Sequence, residues 1–341
     1  MSIVEHALAA TERTPFPDFV TRAGVHYLVD RTKKHLAHQP ADTSARFARD
    51  MTGFPIALAT TEANQQHYEI PARFFELILG QRRKYSCGYY PTADTTLDQA
   101  EEAALAQSCI HAGLADGQNI LELGCGWGSL TLWMAQQYPN ARITAVSNSA
   151  SQRDHIKEQA SARGLHNVQV ITADMNDFVA HDNYDRVLSV EMFEHMSNWH
   201  QLLGRIRDWL TPNGRIFVHV FTHKTAPYRF DHTDKSDWIA QHFFTGGIMP
   251  SRDLIHQFPD LVAVEDEWHW SGDHYERTAR DWLANYDRNS AEIDAVLASV
   301  YGEDARLWKR RWRLFFLATL GLFGHDGGRE WGVSHYRLRR T

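Results

Sequence analysis

Only three cysteines, Cys87, Cys109 and Cys125, occur in the 341 residues, and none has metal-knuckle or disulfide-framework spacing. Their scarcity excludes a disulfide scaffold and makes a reducing cytoplasm the expected location. Long apolar runs are missing too. The longest, Leu314 to Phe323, has about half of the roughly 18 residues that a membrane-spanning helix requires. The first residues show no basic-then-apolar pattern, so no signal peptide is read there. A net charge of -7 gives no reason to expect nucleic acid as a partner. No repeats or low-complexity segments occur. What the chain does have is aromatic residues, 11 Trp, 12 Tyr and 17 Phe, with 20 His. That content suits a pocket for a flat or cationic guest, and equally a bulky core.

The length allows two or three domains or one elaborated α/β domain. Residues 1 to about 80 show helical periodicity and no strand pattern, as in Tyr68 to Leu79, and read as a helical cap. A loop rich in turn formers follows at Lys84 to Pro91. Thr96 and Asp98 then suit the start of a helix. From Gly117 strand and helix alternate, the mark of a parallel sheet. Strands are expected at Ile120 to Leu123, Arg142 to Val146, Val168 to Thr172, Tyr184 to Val190 and Arg215 to Phe221. A helix over Asn198 to Leu210 is expected to close at Pro212-Asn-Gly214. The alternation breaks after Thr222. Residues 223–256, with Tyr228, Trp238, Phe243, Phe244 and Gly246-Gly247, read as an inserted lid. A sixth strand is expected at Val262 to Trp268, helices over 276–323, and a final strand at Trp331 to Leu338.

The most informative stretch is Asn119-Ile-Leu-Glu-Leu-Gly-Cys-Gly-Trp-Gly128. Its apolar strand stops at three alternating glycines, and a helix-like segment follows. Glycines at that junction let the backbone turn tightly and let a ligand press on the main chain. The spacing is shorter than G-x-G-x-x-G, and Glu122 lies in the strand just before it. The pattern resembles the first motif of S-adenosylmethionine-dependent methyltransferases. Ligands of such folds sit at the carboxyl ends of the strands. Asn148, Gln152, Asp174, Met175, Val190 and Glu191 fall there. Asp174 is placed to accept from an adenine amino group, with Met175 packing on the base, while Asn148 and Gln152 stand where an acid commonly holds the ribose diol. The plainer alternative makes these residues polar loop positions and a helix cap.

Taken together, Tyr85-Ser-Cys-Gly-Tyr-Tyr90, Thr96 to Glu102, Leu123 to Gly128, Ser147-Asn-Ser149 with Gln152, and Glu191-Met-Phe-Glu-His-Met196 resemble the cyclopropane fatty acid synthase superfamily. Within it the chain is most similar to the coclaurine N-methyltransferase branch, from about residue 60 onward. The resemblance implies an α/β, doubly wound Rossmann-like methyltransferase core with a helical N-terminal cap and an inserted lid. The segments would be 1–115 for cap and cofactor-covering loop, 116–222 for the core, and 223–341 for lid, remaining strands and C-terminal helices. It implies S-adenosyl-L-methionine as cofactor, lined by Tyr85, Ser86, Gly124, Gly126, Asn148, Gln152, Asp174, Met175 and Val190. Tyr85 would lie near the sulfonium, a cation that an aromatic face stabilises.

An amine acceptor must lose a proton before its lone pair can attack. Paired acids attract an ammonium, and a histidine can take its proton near neutral pH. In the N-methyltransferase branch Glu-x-x-Glu-His has these roles. Glu194 and His195 are therefore expected as acid/base and orienting pair, with Glu191 as charge partner; the alternative is that the acids cap the next helix. In the lipid-cyclopropanating branch a bicarbonate is held by Glu, His, Tyr and Cys. Glu194, His219 and Tyr275 match three of these, and Thr319 aligns with the cysteine. That departure argues against fatty-acyl cyclopropanation. The amine branch also departs, since a Glu expected near Gly321 is absent.

His219 and His223 lie four apart on a strand without a partner carboxylate, so no metal is expected. Arg306 to Arg313 could press on an anionic bilayer or form the solvated face of a helix. The expected function is N-methylation of a small aromatic or heterocyclic amine. Modification of unsaturated fatty acyl chains is the enzyme alternative, and a cofactor-binding module without catalysis is the other. The expected partners are a small-molecule acceptor, no nucleic acid, no integral membrane contact, peripheral lipid at most, and a possible homodimer through the N-terminal helices.

Overall fold

A computed structural model describes residues 6, 10–14, 16–58 and 70–341. Most of the expected Tyr68 to Leu79 helix falls inside this range, but Tyr68 and Glu69 lie outside it.

Helices Asp18–Leu36 (α1), Thr43–Met51 (α2) and Ala72–Ile78 (α3) precede the sheet, and no strand occurs among the described residues before Asn119. Leu97–Ala112 (α4) starts where expected. Thr96 accepts from the Gln99 amide while the Gln99 side chain accepts from the Thr96 N–H, a capping box that satisfies both ends of the first turn.

Strand and helix then alternate through Asn119–Leu123 (β1), Ser129–Gln137 (α5), Arg142–Ser147 (β2), Ala150–Ala162 (α6), Val168–Thr172 (β3), Tyr184–Val190 (β4), Trp199–Asp208 (α7) and Leu210–His223 (β5). The sheet is completed by Val262–Ser271 (β8) and Trp331–Arg340 (β9), after a two-residue ribbon of Tyr228–Arg229 (β6) and Ile248–Met249 (β7). Its order is β3-β2-β1-β4-β5-β9-β8. The first five strands pair parallel, whereas β9 pairs antiparallel with both β5 and β8. The chain winds one way from β1 to β3 and the other way from β4 onward, so the switch point lies between β1 and β4.

β1 is buried on both faces, as a central parallel strand must be. Ile120 packs with α4 and α5, and Leu121 and Leu123 pack with α7 on the opposite face. β5 begins five residues earlier than expected. The Pro212-Asn-Gly214 turn is absorbed into the strand at an irregularity between Tyr184 and Arg186 of β4, so the helix before it ends at Asp208.

The 276–323 helical stretch divides into Gly272–Arg288 (α9), Ser290–Tyr301 (α10) and Ala305–Phe323 (α11); the short helix Trp238–His242 (α8) belongs to the lid. Much of the aromatic content is core: Phe74, Phe75, Trp282, Tyr286, Trp312 and Phe316 are fully buried in one cluster joining α3, α9 and α11. The basic stretch of α11 is paired internally. Arg311 meets Glu12, Arg313 meets both Asp18 and Asp287, and Lys309 meets Asp294. Pairing of that kind favours the helix-face alternative over a bilayer contact. A glutamate at Gly321 has no room, because a Cβ there would run into Val25 where α1 crosses α11.

Candidate active site

A cavity opens at the carboxyl ends of β1 to β4 and encloses about 1480 Å3 of space, its open mouth included. That is room for a nucleoside-sized cofactor together with a small acceptor. All of the predicted cofactor residues line it: Tyr85, Ser86, Gly124, Gly126, Asn148, Gln152, Asp174, Met175 and Val190. Of the predicted chemical residues, Glu191, Glu194, His195 and Tyr275 line it too. His219 is buried behind the wall and reaches the site through Glu191.

The floor is made by the glycine turn. Gly124, Gly126 and Gly128 all have positive φ, at 77°, 52° and 82°. A Cβ on Gly128 would strike Ile156 of α6, so glycine there is a packing requirement as well as a conformational one. Glu122 is buried just beneath and accepts from Thr131 Oγ1 at 2.5 Å, tying β1 to α5. Burial pushes its carboxyl up to about 8, although the Thr131 bond acts the other way. On the next strand Ser147 Oγ donates to Gln152 Oε1 at 2.6 Å, which fixes the amide and leaves its Nε2 as donor. Asp174 accepts from the Asn176 amide at 2.8 Å, and Asn176 in turn binds both backbone groups of Ala57. Ser129 Oγ and Trp127 Nε1, both on the cavity wall, have no hydrogen-bond partner among the described residues. Buried polar atoms of this kind call for a ligand or water.

The centre of the opposite half is Glu191. Its backbone sits at φ 47°, a left-handed conformation that a non-glycine residue adopts only when its surroundings impose it. Three polar groups from three distant segments meet its carboxylate. The Cys87 amide donates to Oε1 at 2.9 Å, the Tyr275 hydroxyl to Oε2 at 2.6 Å, and His219 Nε2 lies 3.2 Å from Oε1. Lys84, buried nearby, donates to Ser86 Oγ at 2.6 Å and to the Cys87 carbonyl at 2.7 Å. Burial raises the Glu191 carboxyl, while Lys84, Tyr275 and the Cys87 amide oppose that rise. Glu194 has none of this support. It is buried, its Oε2 has no partner among the described residues, and burial plus the Glu191 charge lift it well above the carboxylate range. Both carboxyls are raised, but Glu191 has bonding partners and a cation that oppose the rise and Glu194 has none, so Glu194 is the more readily protonated member.

His195 stacks on Phe244 of the lid, with centroids 5.2 Å apart and planes within 2°. The lid also closes on Glu194: a Cβ at Gly247 would press the Glu194 carbonyl at 3.1 Å. Met192, Met196, Trp282 and Phe315 complete an apolar wall beside the carboxyls.

Two sequence expectations need correction. Thr319 does not stand at the site; its hydroxyl donates to the Phe315 carbonyl within α11. The cysteine beside the carboxylates is Cys87, from the Tyr85-to-Tyr90 loop, so the argument from a missing cysteine falls. Glu191 rather than Glu194 binds His219 and Tyr275. Lys84 was missed altogether, because a lysine in a turn-rich loop reads as solvated until the fold buries it.

Comparisons with known proteins identify the family. The family model "Mycolic acid cyclopropane synthetase" matches residues 58–324. (S)-coclaurine N-methyltransferase of Thalictrum flavum subsp. glaucum is 39% identical over 290 residues, covering 84% of this chain and 80% of the relative. Cyclopropane-fatty-acyl-phospholipid synthase of Escherichia coli (strain K12) is 30% identical, covering 80% of this chain and 67% of the relative. A crystal structure of coclaurine N-methyltransferase bound to N-methylheliamine and S-adenosylhomocysteine superposes with a TM-score of 0.95 at 34% identity, covering 99% of this chain and all of that one. The chain therefore belongs to the mycolic acid cyclopropane synthetase family and is an S-adenosylmethionine-dependent methyltransferase.

Proposed function

We propose that this methyltransferase N-methylates a small aromatic or heterocyclic amine. The observation that carries the reading is the placement of Glu191: its carboxylate already takes the Tyr275 hydroxyl and lies 3.2 Å from His219 Nε2, the groups that a bound bicarbonate would need. A lipid-cyclopropanating site requires those groups to be available. An amine site requires fixed negative charge, a proton acceptor and an aromatic wall, and Glu191, Glu194 and Phe244 supply that chemistry. The relatives named as N-methyltransferases support the same acceptor class.

In this reading Gly124 and Gly126 lie under the cofactor, Asn148 and the free donor of Gln152 bind its ribose, and Asp174 with Met175 holds the adenine. Ser86 and Val190 flank it, and the Tyr85 ring faces the sulfonium. When bound, the cofactor supplies an activated methyl group with a good leaving group. The chain's own residues orient the acceptor nitrogen in line, exclude water and remove one proton. Glu191 attracts the ammonium, Glu194 with His195 takes its proton, and Phe244 and His195 together hold the ring.

Purified protein with methyl-labelled S-adenosylmethionine, offered a panel of cyclic secondary amines and vesicles of unsaturated phospholipid, tests the proposal. Label is expected in amines, at a rate unchanged by rigorous removal of bicarbonate. Label appearing only in lipid, or turnover that needs added bicarbonate, overturns it.

A further inference from the structure

Lys84 is a buried ammonium outside the steps assigned to Glu191, Glu194 and His195. It is 2% exposed and lines the same cavity as Ser86 and Glu191. Its Nζ donates to Ser86 Oγ at 2.6 Å and to the Cys87 carbonyl at 2.7 Å. Both acceptors are uncharged, so these two of its three N–H groups are used without a bonded counter-ion. Burying an ammonium on those terms is unfavourable, and an amide could make the same kind of hydrogen bond without a charge to desolvate. The charge is therefore the feature that calls for a role.

Two acids face that charge, Glu191 and Glu101. Glu101 of α4 is committed to backbone: its Oε1 accepts from the Gly80 amide at 2.8 Å and its Oε2 from the Arg82 amide at 2.9 Å. These bonds fix the loop just before Lys84. Cys87 then joins the lysine to Glu191, since its carbonyl accepts from Lys84 and its amide donates to Glu191 Oε1.

We propose that Lys84 is a positioning residue for methyl transfer: its ammonium, fixed against Ser86 and Cys87, keeps the Glu191–Glu194 pair short of the proton that it must take from the acceptor. The inference rests on the amine reading above. The two carboxyls titrate as one coupled unit. Burial alone favours the doubly protonated pair, which has no basic oxygen left for an ammonium's proton. A fixed cation beside Glu191 opposes that state.

Burial raises Glu191 and lowers Lys84, and each of the two opposes the shift of the other. The other groups facing Glu191 are Tyr275, Cys87, His195, His219 and Glu194. Those facing Lys84, besides Glu191, are Cys87, Glu101, His219 and His335. Burial keeps the Cys87 thiol and the Tyr275 hydroxyl protonated and the His219 and His335 rings neutral. His195 brings charge only when protonated, so Lys84 is the standing cation among these groups.

Two variants separate charge from hydrogen bonding. Lys84→Gln keeps a donor beside Ser86 and Cys87 and removes the charge, whereas Lys84→Met removes both. The acid limb of the acceptor kcat/KM profile is expected to move up by about one pH unit or more in both. A parent-like limb in Lys84→Gln, whatever Lys84→Met does, leaves only a hydrogen-bonding role and overturns the proposal. If the parent methylates no amine, the proposed function fails first, and the coupling is read without turnover. In protein saturated with S-adenosylhomocysteine and labelled with 13C at glutamate carboxyls, the Glu191 signal is assigned by its loss in Glu191→Gln. It is expected to titrate at higher pH in Lys84→Gln than in the parent, and an equal midpoint overturns the proposal. Linkage requires the reverse effect. In Glu191→Gln the Lys84 ammonium, followed by lysine-selective 15N NMR, is expected to lose its proton at lower pH than in the parent. That measurement decides the matter if neither Lys84 variant folds, and an unchanged Lys84 midpoint overturns the proposal.

Discussion

The chemistry rests on two carboxyls three residues apart that the fold treats differently. Glu191 has three polar partners and a neighbouring lysine, and Glu194 has an unpartnered oxygen and a charged neighbour. Because the folded-state pKa of Glu194 is raised, its base form is lost as pH falls while still above the usual carboxylate range. The acid limb of the kcat/KM profile is therefore expected above that range, and a limb near pH 4 to 5 would exclude Glu194 as the acceptor. Glu194→Ala is expected to cut amine turnover by about a hundredfold or more and to leave cofactor affinity nearly unchanged. Cofactor affinity that collapses with turnover would remove the role given to Glu194. Glu122 offers a stability test. Its carboxyl is raised from 4.5 to about 8, so its contribution is fully present below 4.5 and is lost as pH rises through 8. Glu122→Gln is expected to melt several degrees higher than the parent near pH 9 and no higher near pH 4, by calorimetry at both values.

These residues differ in how far they could be read in the sequence, and the reason is range. Gly124 to Gly128, Asn148 and Asp174 act through backbone a few residues away, so motif and strand ends locate them. The partners of Glu191 lie 104, 84 and 28 residues off in sequence, and nothing local marks Cys87 or Tyr275 as its neighbours. Thr319 was misplaced for the same cause: helix periodicity locates it on α11 but does not say which loop reaches the pocket.

At the scale of elements, the turn between β1 and α5 is the most exacting. Gly128→Ala puts a Cβ at positive φ against Ile156. It is expected to cost about 1–3 kcal/mol in denaturant unfolding and to weaken cofactor binding, since the turn carries both duties. Unchanged cofactor affinity in a folded variant would separate them. The elements themselves were largely legible, because a 2-residue period and a 3.6-residue period are local signals. The misjudged boundary at β5 shows the limit. Pro212-Asn-Gly214 has turn chemistry, but the strand continues across it, pairing Leu210 with Tyr184 before the irregularity and Arg215 with Arg186 after it.

At the scale of the whole molecule, distant parts of the chain meet at the short helix α8. Glu12 accepts from Trp238 of the lid at 2.8 Å and from Arg311 of α11 at 3.0 Å, with His242 at 3.2 Å. Burial acts against its ionisation, yet the His242, Arg311 and Trp238 bonds prevail and bring it down to about 2. A depressed carboxyl stabilises above its ordinary 4.5, and that contribution fades as pH falls through 2. Glu12→Gln is therefore expected to lower Tm by a few degrees at neutral pH and to match the parent near pH 2. A variant with the parent's Tm at pH 7 would show that this junction does not hold the lid.

Glu191 also has a consequence for the order of events during synthesis. The carboxylate leaves the ribosome after the Cys87 loop and before β5, yet its Tyr275 donor is 84 residues further along. A nascent chain that ends before α9 can assemble the five parallel strands while the charge at their edge is still incomplete. The acceptor half of this enzyme is thus finished last.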